Sequence, residues 1–318
     1  MLAMIVRRAS RTLLAMVVAL PLLVTGVADA AERTGCPTSE RQQNHRQLLH
    51  YNHAYGVVDT VTADAVENSA YLRKFSNFEI RTTTGANDTT WTGRYLLGRE
   101  TYMELFKVGD LPGQDASLGS GGMGMSTECD GDLAKVTKRL HDLGVVDPYE
   151  YPQTRDFGDG VPVPWFDSMF TTDQYDRFGA WGMEYRQEYF ADPRSKTEPP
   201  NHPGDVGRER YLSDAYRDHL MRDITSVRLA VTQRDLDNTV PLLKAGRFTV
   251  IQKRDGVIAI GGTTTLYFDA VPIDQVGLRQ VEFSLNRPLL SRHKERIGNS
   301  TLVVGPLARA VWTFATPK

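Results

Sequence analysis

Two things are scarce in this 318-residue chain: cysteine, present twice, and net charge, since 37 lysines and arginines stand against 39 acids and leave -2. Two cysteines exclude a disulfide-stapled miniature scaffold, and the near-neutral balance lacks the basic footprint that phosphate-backbone binding requires, so no nucleic acid partner is expected. Long apolar runs are missing after the first thirty residues, so no second stretch is expected to span a membrane. No GxGxxG opens a helix and no GKS or GKT occurs, so no nucleotide cofactor is expected. Gly119-Ser120-Gly121 is no GxSxG elbow, and His45, His50, His141, His202, His219 and His293 show neither HxxxH nor HxH spacing.

What is present begins with an export signal. Arg7, Arg8 and Arg11 precede the apolar run 12–24, and Ala28-Asp29-Ala30 offers small residues for cleavage before Ala31. Pro21 and the shortness of the run argue against a permanent anchor. The chain therefore reads as secreted, with no stable membrane span after cleavage, by either the general or the twin-arginine route. An oxidising compartment permits a Cys36–Cys129 bridge, which is favoured over lipid attachment at Cys36 because Arg33 stands where a lipid-attachment box wants an aliphatic residue.

Periodicity then changes along the chain. Alternation over 49–58 places Tyr51, His53, Tyr55 and Val57 on one strand face, helical spacing follows over 59–72, and strand-like runs occupy 78–84, 91–97 and 101–107. This is a β-α-β-β-β unit. The glycine-rich stretch 109–124 reads as a mobile connection into a strand at 123–127, 132–143 as a helix, 147–164 as loop, and 165–172 and 181–190 as strands of a second unit. A third strand-helix-strands pattern starts at 226 and ends in a hairpin around Gly305-Pro306. The expected organisation is a signal peptide over 1–30, an N-terminal segment over 31–47, paired βαβββ modules over 48–190, a proline-bearing linker over 191–210 and a C-terminal α+β module over 211–318.

His53 and Glu104 each interrupt an apolar or aromatic strand of the first unit. A buried carboxylate costs several kcal/mol unless paired, hydrogen-bonded or metal-bound, so the two form a candidate site, and together they make half of a metal centre. The bland alternative is a core histidine bonded to Tyr51 or Glu104, with Glu104 paired to Arg81 or Arg94.

The units, with His53 in 52–58 and Glu104 in 102–106, resemble the glyoxalase/bleomycin-resistance (vicinal oxygen chelate) superfamily. More narrowly, 78–84, 91–95 and 181–185 are similar to the domain-of-unknown-function 5829 family, a resemblance that covers most of the mature chain and brings no known activity. The resemblance implies an α+β fold of repeated βαβββ units forming curved, open-barrel mixed sheets. It also implies one divalent metal (Zn, Ni, Mn or Fe) held by His53, Glu104 and Glu184, with Glu104 or Glu184 shuttling a proton. The matching first-strand position of the second module falls among Met123, Gly124, Met125 and Ser126, where no ligand stands. Two functions follow: a metal-dependent lyase, isomerase or dioxygenase-like enzyme acting on a small molecule, or a metal-free protein that sequesters one.

Overall fold

The structure, a computed structural model, describes Cys36 and residues 46–317. The expected signal over 1–30, its cleavage before Ala31 and most of 31–47 lie outside the described residues. The first module runs β1 (His50–Val58), α1 (Thr60–Asn68), α2 (Ala70–Phe75), β2 (Asn77–Thr84), β3 (Thr90–Leu97) and β4 (Tyr102–Lys107). The second runs β5 (Gly121–Ser126), α3 (Asp132–Asp142), β6 (Tyr149–Arg155), β7 (Val163–Phe170) and β8 (Phe178–Tyr185). Short helices α4 (Gln187–Ala191) and α5 (Arg208–Tyr211) lead to a third module: β9 (Met221–Val231), α6 (Gln233–Ala245), β10 (Thr249–Lys253), β11 (Gly256–Gly261) and β12 (Thr264–Ala270). The fourth is strands alone: β13 (Gly277–Leu289), β14 (His293–Ile297), β15 (Ser300–Val304) and β16 (Leu307–Thr313).

Two eight-stranded mixed sheets result, in the orders β2-β3-β4-β1-β5-β8-β7-β6 and β10-β11-β12-β9-β13-β16-β15-β14. In the first three modules the opening strand is parallel to the closing one, as β1 is to β4, because a helix carries the chain back before two hairpins. The fourth module has no such helix, and β13 and β16 are consequently antiparallel. Local chemistry sets the breaks: Asp59 caps α1, and Ser69 ends α1 while its side chain caps α2. The stretch 147–164, expected as loop, holds β6 with Pro152 inside it. Proline is tolerated there because β6 is an outer strand, with one side free of ladder bonds.

One apolar cluster joins the modules, taking Leu49, Leu72, Phe75, Met103 and Leu105 from the first and Val227, Leu243, Phe268, Phe283 and Trp312 from the third and fourth. Phe75 meets Phe283 edge-on at 5.4 Å, and α6 packs on β8 and α3. Fully buried Asp235 of α6 accepts from the backbone N–H groups of Asp176, Arg177 and Phe178 at 2.7, 3.0 and 3.0 Å, which fixes the entry into β8. The end of the expected linker is also tied in. Buried Arg208 donates to Glu128 at 2.6 Å, to the Tyr51 carbonyl at 2.5 Å and to Glu100 at 3.2 Å.

Cys36 and Cys129 form a disulfide with a Cα–Cα distance of 5.7 Å across a sequence separation of 93. On a chain-entropy argument a loop of that length stabilises by roughly 4 kcal/mol. The bond is consistent with an oxidising compartment. No helix among the described residues is long and apolar enough to cross a membrane.

The first sheet curls until its outer strands meet. Asp156 N donates to the Thr84 carbonyl at 3.0 Å, Ala86 N to Gln153 Oε1 at 2.6 Å and Asn87 Nδ2 to the Tyr151 hydroxyl at 3.0 Å. Its inner face therefore encloses space. No bridge joins β10 to β14 in the second sheet among the described residues.

Candidate functional site

Period-two alternation divides the strands of the first sheet. On β4, Met103 and Leu105 enter the shared core while Tyr102, Glu104 and Phe106 line a cavity of about 300 Å³. On β8, Gly179, Trp181, Met183 and Tyr185 line the same cavity, and β7 contributes Trp165, Phe166 and Phe170. The cavity is enclosed largely by aromatic rings, the composition of a small-molecule pocket.

β1 breaks its own alternation. Tyr51 pairs with Met125 and His53 with Gly124, so two residues oppose one, a β-bulge that re-aims the side chains. The expected common face is thereby split: Tyr51 joins the shared core, whereas His53 and Tyr55 line the cavity. Asn52, inside the bulge, donates through Nδ2 to Ser126 Oγ at 3.0 Å and the Tyr185 hydroxyl at 3.2 Å. Its Oδ1 is then left to accept from His53 Nδ1 at 2.9 Å. That bond puts the proton of the neutral imidazole on Nδ1 and leaves Nε2 with a bare lone pair.

His53 stacks on Tyr102 at 4.5 Å and meets the Trp181 edge at 5.3 Å. Two glycines on β5 make room for it. A Cβ at Gly124 would stand 2.6 Å from His53 Cε1, and one at Gly122 would stand 2.3 Å from Tyr55 Cε1. Glycine at 122 and 124 is thus a requirement of the rings packed against it, which the reading of 109–124 as a mobile connection missed. The available signal was the alternation of glycine and methionine in 121–125, a strand pattern with one face emptied.

His53 Nε2 and Glu104 Oε1 are 3.9 Å apart, too far for a direct hydrogen bond, and the Glu104 carboxyl makes none among the described residues. Burial moves both groups toward their neutral forms. It lowers the imidazole to about 3 and raises the carboxyl to about 8, the latter tempered by the Arg81 guanidinium. Near neutral pH the pair is a carboxylic acid facing an imidazole lone pair across a gap that one hydroxyl of a ligand can bridge, accepting from the acid and donating to Nε2.

Glu184 is not part of this arrangement. It lies on the other face of β8, where it accepts from Gly131 N at 2.8 Å, Leu133 N at 2.9 Å and Thr127 Oγ1 at 3.1 Å, and so caps α3. Burial raises its carboxyl, and these bonds oppose the rise. Arg94, considered above as a partner of Glu104, also points away; it pairs with Glu67 and with Asp110 at 2.5 Å. Arg81 does line the cavity.

Among the described residues, the donor set around the cavity does not fit a resident metal. Among the described residues no three His, Cys, Asp or Glu side chains converge, and the position where a further ligand would enter from β5 is Gly124, whose space the His53 ring occupies.

Residues 51–314 match the family of unknown function DUF5829, and the chain belongs to that family. No curated protein matches its sequence. Among solved structures it is similar to a hypothetical protein from Staphylococcus aureus, with a TM-score of 0.45 and 11% identity over 82% of this chain and 98% of that one. A variant of homoprotocatechuate 2,3-dioxygenase from Brevibacterium fuscum aligns with a TM-score of 0.36 and 12% identity, over 70% of this chain and 54% of that one. A variant of 4-hydroxymandelate synthase from Streptomyces coelicolor aligns at 0.37 and 13%, over 82% and 90%.

Proposed function

We propose that this is an exported protein that binds a small, ring-bearing molecule in the cavity of the first sheet without a metal. The observation that carries this reading is the neutral His53–Glu104 pair, 3.9 Å apart in an aromatic wall, which can donate to and accept from one polar atom of a guest. Tyr55, Phe106, Trp165 and Trp181 would supply the apolar contact. Export is supported by the cleavable-looking N-terminal run and by the Cys36–Cys129 bond. A second reading, proton transfer by Glu104 in an isomerase or lyase, is favoured by one feature: the carboxyl is held at about 8, so it still carries its proton at neutral pH.

Gly179 allows a clean test, because a Cβ there would meet nothing within 4 Å and its backbone is not left-handed. Gly179→Leu should fill the cavity with little loss of stability. Wild type should bind 1-naphthylacetamide, seen as a change in fluorescence from Trp91, Trp165 and Trp181 and as a raised melting temperature, and Gly179→Leu should not. Equal binding by both proteins would place the guest elsewhere and end this reading. A rise in melting temperature with zinc, nickel, manganese or iron that disappears in His53→Ala would return the metal-dependent alternative.

A further inference from the structure

Five buried side-chain polar atoms lack a hydrogen-bond partner among the described residues, and three of them are Arg81 Nε, Arg155 Nε and Trp165 Nε1. All three are N–H donors with no capacity to accept. Unsatisfied buried donors are rare enough in folded proteins to call for an explanation, and here they gather in one region. Trp165 lines the aromatic cavity, Arg155 lines a second cavity of about 470 Å³, and Arg81 and Tyr102 line both.

The charges around the second cavity are unevenly matched. Arg194 is held by Asp192 at 2.7 Å and Asp159 at 2.5 Å, and Arg81 by Glu79 at 2.6 Å. Arg155 has no carboxylate partner among the described residues. Its Nη1 donates to the Tyr189 hydroxyl at 2.6 Å, and its guanidinium lies over Phe157 at 4.8 Å and over Trp165, a wall of the aromatic cavity, at 5.4 Å. Arg81 lies over Tyr95, another wall of that cavity, at 4.3 Å. Arg81 therefore stands where the cavities adjoin, Arg155 lines the second beside the Trp165 wall of the first, and both guanidiniums lie over aromatic rings.

We infer that the guest is an aromatic acid: its ring occupies the aromatic cavity and its anionic group is held by Arg81 and Arg155 where the two cavities adjoin. The inference rests on the binding reading above and adds the charge of the ligand. A carboxylate offers about four lone-pair sites and a charge opposite to that of the two guanidiniums, only one of which already has a carboxylate partner among the described residues, whereas an amide of the same shape brings no charge. The neutral state of Glu104 suits this occupant, since an ionised carboxyl facing the same cavity would repel it.

The test compares 1-naphthylacetate with 1-naphthylacetamide, its uncharged isostere, by calorimetric titration of the full-length protein at pH 6.5. The acid should bind at least tenfold more tightly than the amide, and raising salt from about 0.05 to 0.5 M should weaken the acid alone. Arg155→Gln and Arg81→Met should each bring the affinity for the acid close to that for the amide in the same variant, with the folding of each variant checked by its circular-dichroism spectrum and urea midpoint. Arg155→Lys, which keeps the charge but loses the fork, should recover part of the preference and covers the case in which Arg155→Gln does not fold. Equal affinity for acid and amide in wild type, or a preference that survives both substitutions, overturns the anion site while leaving the binding reading intact. If neither compound binds wild type, both readings fall together.

Discussion

In the first sheet, β1 and β4 turn His53, Tyr102, Glu104 and Phe106 away from the shared core and into a partly enclosed cavity. In the second, the corresponding β9 and β12 turn Arg228, Tyr267 and Asp269 away from the same core, where Arg228 and Asp269 pair at 2.6 Å with both side chains more than one-third exposed. The strand orders match, so topology alone does not create the site. The difference lies at the margins. A bridge between Thr84 and Asp156 joins the margins of the first sheet, whereas the second, whose last module has no helix and reverses the direction of β16, has no such bridge among the described residues. Curling shields the inner face from bulk water without closing it, and that shielding favours aromatic walls and a neutral acid there.

The largest effect that can break this comparison is in stability. Trp312 is fully buried in the shared core and donates through Nε1 to Ser300 Oγ at 2.9 Å. Trp312→Ala should cost about 3–5 kcal/mol, measured by urea unfolding. Trp181, a half-buried wall of the existing cavity, should cost less than half as much when truncated, because its removal enlarges a space that is already there. Equal losses would mean that the first sheet's inner face is ordinary core and that the two sheets do not differ in kind.

Much of this was legible in residue order. The alternation of Tyr102, Glu104 and Phe106 with Met103 and Leu105 marks a strand with two different faces, and the placing of His53 among aromatics marks its neighbour. Three features were not legible. The β-bulge at Asn52 depends on register against β5, which no local pattern in β1 reveals. The opposite orientation of Glu184 follows from strict alternation beside Met183 and Tyr185, yet which of the two sets faces inward is decided by how the sheet curls. Arg81 and Arg155 lie on β2 and β6, at opposite ends of the strand order, and only closure of the sheet puts them at one place.

The second effect is a dependence on pH confined to the first sheet. The folded value of Glu104, about 8, lies above the ordinary 4.5, so its contribution to stability is complete below about pH 4.5 and is lost as the pH rises toward 8. The folded value of His53, about 3, lies below the ordinary 6.5, so its contribution is complete above about pH 6.5 and is lost as the pH falls toward 3. Between 4.5 and 6.5 the two oppose each other. Urea midpoints of wild type and Glu104→Gln isolate the carboxyl: the variant should gain on wild type steadily from pH 4.5 to 8 and then hold its lead. A difference that stays flat across that range would show that Glu104 is ionised and solvated, and the enclosed inner face would lose its main electrostatic support.

The smallest effect sharpens the comparison from the other side. Arg228 and Asp269 form the most direct ion pair on the open face of the second sheet, bidentate at 2.6 and 2.9 Å, across the parallel pairing of β9 and β12. Parallel strands slant their hydrogen bonds, so a cross-strand pair of this kind is a reasonable place to look for register support. Water nevertheless reaches both groups, and exposed pairs contribute only about 0.2–1 kcal/mol once side-chain ordering is counted. Arg228→Met should therefore lower stability by no more than that, by less still in high salt, and should leave the affinity for 1-naphthylacetamide unchanged. A loss of several kcal/mol, or a change in ligand affinity, would mean that the open face of the second sheet is coupled to the cavity of the first through the shared core. The two sheets would then have to be treated as one functional unit rather than as a binding half and its support.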